Sequence, residues 1–326
     1  MTTTSSARRR WLAAFALAGA LVAGPLQAAD PVQLRIGFQK SAVNLLVLKQ
    51  QGTLEKRFPK TAVSWVEFPA GPQLLEALAV GSIDFGLTGD TPPVFAQAAG
   101  KDLVYVGAEP PKPDSSAILV PATSTIQSLV DLKGKRIAFQ KGSSAHNLLV
   151  RALEKAGLTW NDVTPVYLAP AEARAAFERG SIDAWAIWDP YYAAAEYAVR
   201  PRVLTTGRTL SANNSFYLAS KDIAARSPEV ISALLTELSN ADAWIQGHKR
   251  EAAQRLSDYS GLPFDVSYRF VARRPTAPTT PLRPETVADQ QRVADSFFRL
   301  GLIPKAVRVS DIVWQPNANE RLARNK

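Results

Sequence analysis

The chain has 326 residues, 38 Lys and Arg against 29 Asp and Glu, a formal charge of +9 and no cysteine. Without cysteine, neither a disulfide framework nor a lipidated N-terminal cysteine is possible. Both signs of charge are mixed along the chain, with no basic run beyond RFVARRP near residue 270, so a nucleic-acid partner is not expected.

The N-terminus reads as an export signal. Arg8, Arg9 and Arg10 precede an apolar run of fourteen residues, 11–24, and small residues follow to Ala29. That run is shorter than the roughly 18 residues a spanning helix needs, so residues 1–28 are expected to be a cleaved signal peptide, cut after Ala28 or Ala29. RRRWLA loosely resembles a twin-arginine signal, which leaves the export route open. No later run is long and apolar enough to cross a bilayer. The product is expected to be periplasmic, with a formal charge of +6 once the three arginines are gone and length enough for two domains.

From residue 34 onward the chain is written twice. RIGFQK at 35–40 returns as RIAFQK at 136–141, and GSID at 81–84 returns at 180–183. The two motifs are 46 residues apart in the first copy and 44 in the second, and each GSID aspartate is followed six residues later by another, Asp90 and Asp189. A period near one hundred indicates a pair of similar domains rather than a solenoid.

Each copy predicts the same elements. A strand (34–39; 135–140) leads into an amphipathic helix, with Leu148, Leu149, Ala152, Leu153 and Ala156 on one stripe in the second copy. Gly52 and Gly157 supply the helix stops. A strand (VSWVEF; VTPVYL), a helix and a strand opened by GSID complete βαβαβ twice. The expected fold is therefore α/β and two-lobed, each lobe a mixed, mostly parallel sheet with helices on both faces. The proline-rich VYVGAEPPKPDSSAILV suggests one crossing between lobes near 108–116, and a return near 195–210 a second. Lobe one is then 29–110 with 205–326, and lobe two 111–204. Val230, Leu234, Leu238, Ala241 and Ile245 predict a packed helix in the returning part. Two crossings make a hinge with a cleft between the lobes.

Ligands of open α/β sheets bind at the carboxyl ends of the strands. That places Gln39, Ser41, Thr88, Gly89, Asp90, Thr91, the stretch 140–146, Trp188 and Asp189 at the facing edges. In GSSAHN, Gly142 permits a tight strand-to-helix turn and Ser143 or Ser144 is a candidate cap. The free N–H groups of Ser144, Ala145 and His146 would then suit an oxyanion; ordinary serine capping is the competing reading. Asp90 and Asp189, each just before proline, read as helix N-caps. Thr88, Gly89 and Thr91 are the better donors in lobe one, because a carboxylate repels an anion. Trp185 and Trp188 face opposite ways on a strand, so Trp188 is a candidate pocket wall and Trp185 packs on a helix. Phe216 and Asn214 on the returning strand are weaker candidates.

An enzyme is not expected. Ser144 and His146 diverge on a helix, so the histidine cannot serve the serine as a base, and no histidine pair or acidic cluster has metal-ligand spacing. GSSAHN is neither a Walker loop nor a dinucleotide fingerprint. No cofactor or metal is expected.

VEFPAGPQLLEALAVGSIDFGLTGDTPPVFAQAAG, AFQKGSSAHNLLVRALEKAG and AIWDPYYAA closely resemble the aliphatic sulfonate-binding proteins of bacterial ABC importers. The resemblance runs from about Leu34 to the closing VWQP at 313–316. It implies a venus-flytrap periplasmic binding protein of type II, a monomer that captures alkanesulfonates as a sulfur source. It would pass them to an inner-membrane ABC permease and its ATPase. Carried over, its ligand positions are Gln39, Thr88 to Thr91, Ser143 to His146, Trp188 and Asp189. A relative of the same fold for taurine, an arylsulfonate, a sulfate ester or nitrate is the alternative.

Overall fold

A computed structural model describes residues 32–315. The expected signal peptide and the final proline of VWQP lie outside the described residues.

Ten strands form two five-stranded sheets among the described residues. The first holds β1 (Val32–Phe38), β2 (Thr61–Glu67), β3 (Phe85–Gly89) and β4 (Leu103–Glu109). The second holds β5 (Ser116–Val120), β6 (Arg136–Phe139), β7 (Thr164–Tyr167), β8 (Ala184–Trp188) and β9 (Arg202–Thr206). β10 (Ser215–Ser220) returns to the first sheet. The orders are β2-β1-β3-β10-β4 and β7-β6-β8-β5-β9. β1 is parallel to β2 and β3, as β6 is to β7 and β8. In each sheet the antiparallel strand, β10 or β5, is the first one the chain lays down after crossing from the other lobe. The boundary expected at residue 204 falls inside β9, so the second lobe's sheet runs on to Thr206.

The helices of the first half are α1 (Val43–Gln51), α2 (Thr53–Arg57), α3 (Gly71–Ala79) and α4 (Thr91–Ala98). Those of the second are α5 (Ser144–Ala156), α6 (Pro170–Glu178) and α7 (Tyr191–Ala198). The returning part adds α8 (Lys221–Arg226), α9 (Pro228–Gly247), α10 (Lys249–Ser260), α11 (Phe264–Ala272) and α12 (Pro284–Arg299). β10 shows why lobe one needs helices on both faces. Tyr217 and Ala219 join a core with α1, α9, α10 and α11, while Phe216 and Leu218 join one with α3, α4 and α12. The predicted stripe of α9 is buried throughout. Gly52 and Gly157 end α1 and α5 in the left-handed conformation.

The repeated motifs explain each other. Gly81 and Gly180 take φ near +70°, and Ser82 and Ser181 donate back to Ala77 and Ala176 of the preceding helix, so GSI is a helix stop. The closing aspartate then receives the arginine of the RIxF strand. Arg35 donates to Asp84 through its backbone N–H (2.8 Å), Nε (2.9 Å) and Nη2 (2.6 Å), and Arg136 grips Asp183 in the same way. GSID thus precedes β3 and β8 rather than opening them, and staples two parallel strands at the edge away from their carboxyl ends.

Candidate ligand-binding cleft

The carboxyl ends of both sets of parallel strands face each other across a narrow recess with a cavity volume of about 30 Å³. Lobe one contributes Gln39 and Ser41 after β1, Gly71 of α3, Leu87 to Gly89 of β3 and Pro92 of α4. Lobe two contributes Ser143, Ser144, Trp188 and Asp189, and Phe270 of α11 closes one side. The amino ends of α1, α3, α4, α5 and α7 therefore all lie at or beside this recess and turn the positive ends of their dipoles toward it.

The start of α5 decides what the recess offers. Ser143 does not cap it: its Oγ donates to the carbonyl of Gln140 at 2.7 Å, and no side chain caps the helix. The carbonyl of Ser143 takes the N–H of His146 at 3.0 Å, so that donor, expected to be free, is spent. The N–H groups of Ser144 and Ala145 find no acceptor among the described residues. Gly89 brings the opposite lobe against this point: a Cβ there would stand 2.9 Å from Cβ of Ser144.

His146 does not line the recess. Two residues on from Ser144 is about 200° around a helix, which turns its ring into an aromatic cluster between the lobes. Phe139 and Phe297 lie 4.9 Å away, Trp160 5.0 Å and Phe95 6.1 Å, measured between ring centroids. Nδ1 accepts the N–H of Gly142 at 3.2 Å, and Nε2 is buried with no partner. Burial, helped by Lys141, brings its pKa down to about 3, so the ring is neutral.

Asp90 and Asp189 part company. Asp90 is buried but makes no capping bond. It accepts from Thr91 Oγ1 at 2.9 Å and from Asn147 Nδ2 of α5 at 2.7 Å, which turns both Asp90 and Thr91 away from the recess wall. Burial raises its pKa. Asp189 does cap, accepting the N–H of Ala193 in α7 at 2.9 Å. It also meets Arg273, just past α11, at 3.2 Å. Burial lifts Asp189 to about 7 although Arg273 opposes the rise. Thr88 stands on the wall, with Oγ1 donating to the carbonyl of Gly89 at 3.0 Å, and Gln39 Nε2 donates to Leu87 O at 2.9 Å. Trp188 is a wall, edge-on to Tyr191, while Trp185 is fully buried against Phe177 of α6. Ala145 has its side chain in the core of lobe two, so it offers the backbone alone. Phe216 is core, and Asn214 lies in a neighbouring recess with Asp90 and Asn147.

The crossings supply residues that the sequence reading missed: Lys112 and Ser115 from the first, Asn213 and Ser215 from the second. Lys112 Nζ donates to Glu109 Oε2 and to Ser215 Oγ, each at 2.6 Å. Burial pulls the pKa of Lys112 below its ordinary value, with Glu109 resisting. The proline-rich text marked a crossing but gave no sign of which side chain turns inward.

Residues 63–252 match the family model described as NMT1/THI5 like. A protein of Escherichia coli (strain K12) named for binding aliphatic sulfonates is 49% identical over 308 residues, covering 94% of this chain and 97% of its own. The taurine-binding periplasmic protein of the same organism is 31% identical over 248 residues, covering 72% and 75%. The structure of the alkanesulfonate-binding protein SsuA from Xanthomonas axonopodis pv. citri, bound to MOPS, superposes with a TM-score of 0.85. It is 50% identical, covering 88% of this chain and 99% of that one.

Proposed function

The chain belongs to the aliphatic sulfonate-binding periplasmic proteins within the NMT1/THI5-like family, solute-binding components of ABC importers and not enzymes, and from that premise we propose how it holds its ligand. The sulfonate head lies at the start of α5, on the N–H groups of Ser144 and Ala145. Ser41, Thr88 and Ser143 line the same recess. The observation that carries this reading is that α5 begins at the recess with no side-chain cap. An anion is the natural occupant of such a site. Each charge-assisted hydrogen bond to the head is worth about 1.5–3 kcal/mol.

The alkyl tail runs along Trp188, Leu87, Pro92 and Phe270, gaining up to about 0.8 kcal/mol per buried methylene. Contacts from both lobes favour the closed arrangement. The loaded protein, exported as a monomer after loss of residues 1–28, hands its ligand to an inner-membrane permease driven by an ATPase. A taurine-like zwitterion is the second reading, favoured by Asp189 on the wall and weakened by the Arg273 already paired with it.

A thermal-melt panel tests both: ethane-, hexane- and octanesulfonate, taurine, an arylsulfonate, sulfate, nitrate and a matched alkyl carboxylate. A ligand at a hundred times its dissociation constant adds about 2.7 kcal/mol. Shifts confined to alkanesulfonates support the proposal; a shift with taurine or nitrate alone replaces its ligand.

A further inference from the structure

Among the side chains lining the recess, Lys112 is the cation and Asp189 the anion. Asp189 is matched from behind by Arg273. Lys112 is held differently. It stands where the two crossings meet, its N–H donating to Ala212 O at 3.0 Å and its carbonyl accepting Asn213 Nδ2 at 3.0 Å. Pro111 and Pro113 on either side restrict the backbone that aims it. An ammonium carries three N–H donors. Two meet Glu109 and Ser215, and the third finds no acceptor among the described residues.

A purely structural role would make Lys112 the partner of Glu109. Yet Glu109 already accepts from Arg274 Nη2 at 2.9 Å, which also reaches Asp242 at 3.2 Å. The charge of Lys112 balances this cluster of two carboxylates and one arginine, and its third donor is left over at the recess. A buried ammonium with an unused donor is costly unless something completes it.

We propose that Lys112 is the specificity-determining residue of the cleft: its third N–H donates a charge-assisted hydrogen bond to the ionised oxygen of the head group and selects oxyanions over neutral groups of the same shape. The inference rests on the oxyanion reading given above. Because Lys112 sits on the crossings, it addresses the head group from the hinge, a point common to both lobes.

The test compares calorimetric affinity for hexanesulfonate with that for its neutral isostere, hexyl methyl sulfone. Lys112→Met alone would leave Glu109 short of a partner, so two other variants are used. Lys112→Gln keeps a donor to Glu109 without charge, and Lys112→Met/Glu109→Gln removes both charges together. The wild type is expected to prefer the sulfonate. Both variants should lose ~10–100-fold in sulfonate affinity, the range of one charge-assisted hydrogen bond, while the sulfone is held nearly as before. Equal losses for both ligands mean a structural role and overturn the inference, as does an unchanged preference; either leaves the sulfonate reading standing. A wild type that binds no alkanesulfonate overturns that reading, and the assignment of Lys112 falls with it.

Discussion

Asn147 of α5 donates to Asp90 of the opposite lobe, Nδ2 to Oδ2, at 2.7 Å. Asp189 holds the equivalent position in the second half, and it too takes a donor from across the cleft, Arg273. The two aspartates that follow GSID by six residues have therefore become a pair of ties between the lobes, one on each side of the recess.

Asn147→Ala is expected to leave Asp90 buried and one partner short. The cost is about 1–3 kcal/mol, a fall in melting temperature of roughly 2–4 °C for each kcal/mol in a protein of this size. Small-angle scattering of the ligand-free variant should also show a larger radius of gyration. An unchanged melt together with an unchanged radius would remove Asn147 from closure.

Gly89 is a wedge site. Its backbone is not in the left-handed region, so a Cβ brings no backbone strain, but it would stand 2.9 Å from Ser144 Cβ and 3.1 Å from Ser144 Oγ. In Gly89→Ala the three atoms nearest the new Cβ all belong to Ser144 of the other lobe, so the clash arises where the lobes meet. Overpacking of this kind costs about 1–3 kcal/mol, and calorimetry should read it as a roughly 5–150-fold loss of ligand affinity. The ligand-free melt should fall as well, by roughly 2–4 °C for each kcal/mol, because Gly89 already stands against Ser144 without a ligand. Tight binding by this variant would mean that the head group does not draw Gly89 onto Ser144.

His146 sets a pH dependence whose sign is fixed. Its folded pKa of about 3 lies below the ordinary value of 6.5. Below pH 6.5 the unfolded chain takes a proton that the folded chain refuses, so stability falls as pH drops toward 3, by at most about 1.4 kcal/mol per unit. Asp189 works the other way. Its folded pKa of about 7 exceeds the ordinary 3.8, so its contribution improves as pH falls through that window. His146→Gln removes the first and keeps the second. Its urea midpoint should gain on that of the wild type between pH 7 and pH 4, and parallel pH profiles would contradict the assignment.

Trp188 should decide how the tail is read. In the wild type, affinity should rise from ethane- to hexanesulfonate by up to about 0.8 kcal/mol per methylene, then level off when the wall is covered. Trp188→Ala should flatten the series while changing ethanesulfonate least. A flat calorimetric series in the wild type would show that the tail lies outside this recess.

The local part of this architecture was open to reading from the chain alone. Two copies of RIxFQK and GSID, each at a similar spacing, give two βαβαβ units, and strand ends followed by Gly142 or Asp189-Pro190 mark the edges where a ligand sits. These signals survive in sequence because they rest on short-range chemistry. A left-handed glycine ends the helix before β3 and before β8; the Arg35–Asp84 and Arg136–Asp183 pairs, by contrast, span 49 and 47 residues and were visible only because the same letters occur twice.

What the chain could not disclose is where a side chain goes once distant segments meet. Ser144 and His146 share one helix start, yet the aromatic cluster of Phe95, Phe297 and Trp160 draws the histidine inward, leaving only Ser144 at the recess. Asp90 reads as a cap and serves as a tie because Asn147, 57 residues away, reaches it. Lys112 reads as one more lysine in a proline-rich break. It becomes part of the cleft because the second crossing, a hundred residues on, lies against the first and offers Ser215 to its ammonium. Periodicity and turn chemistry are properties of neighbours in sequence, and they determined the lobes, the strand ends and the helix starts. The direction of a polar group at those ends depends on long-range partners and on what burial leaves unpaired, and that the tertiary structure alone decided.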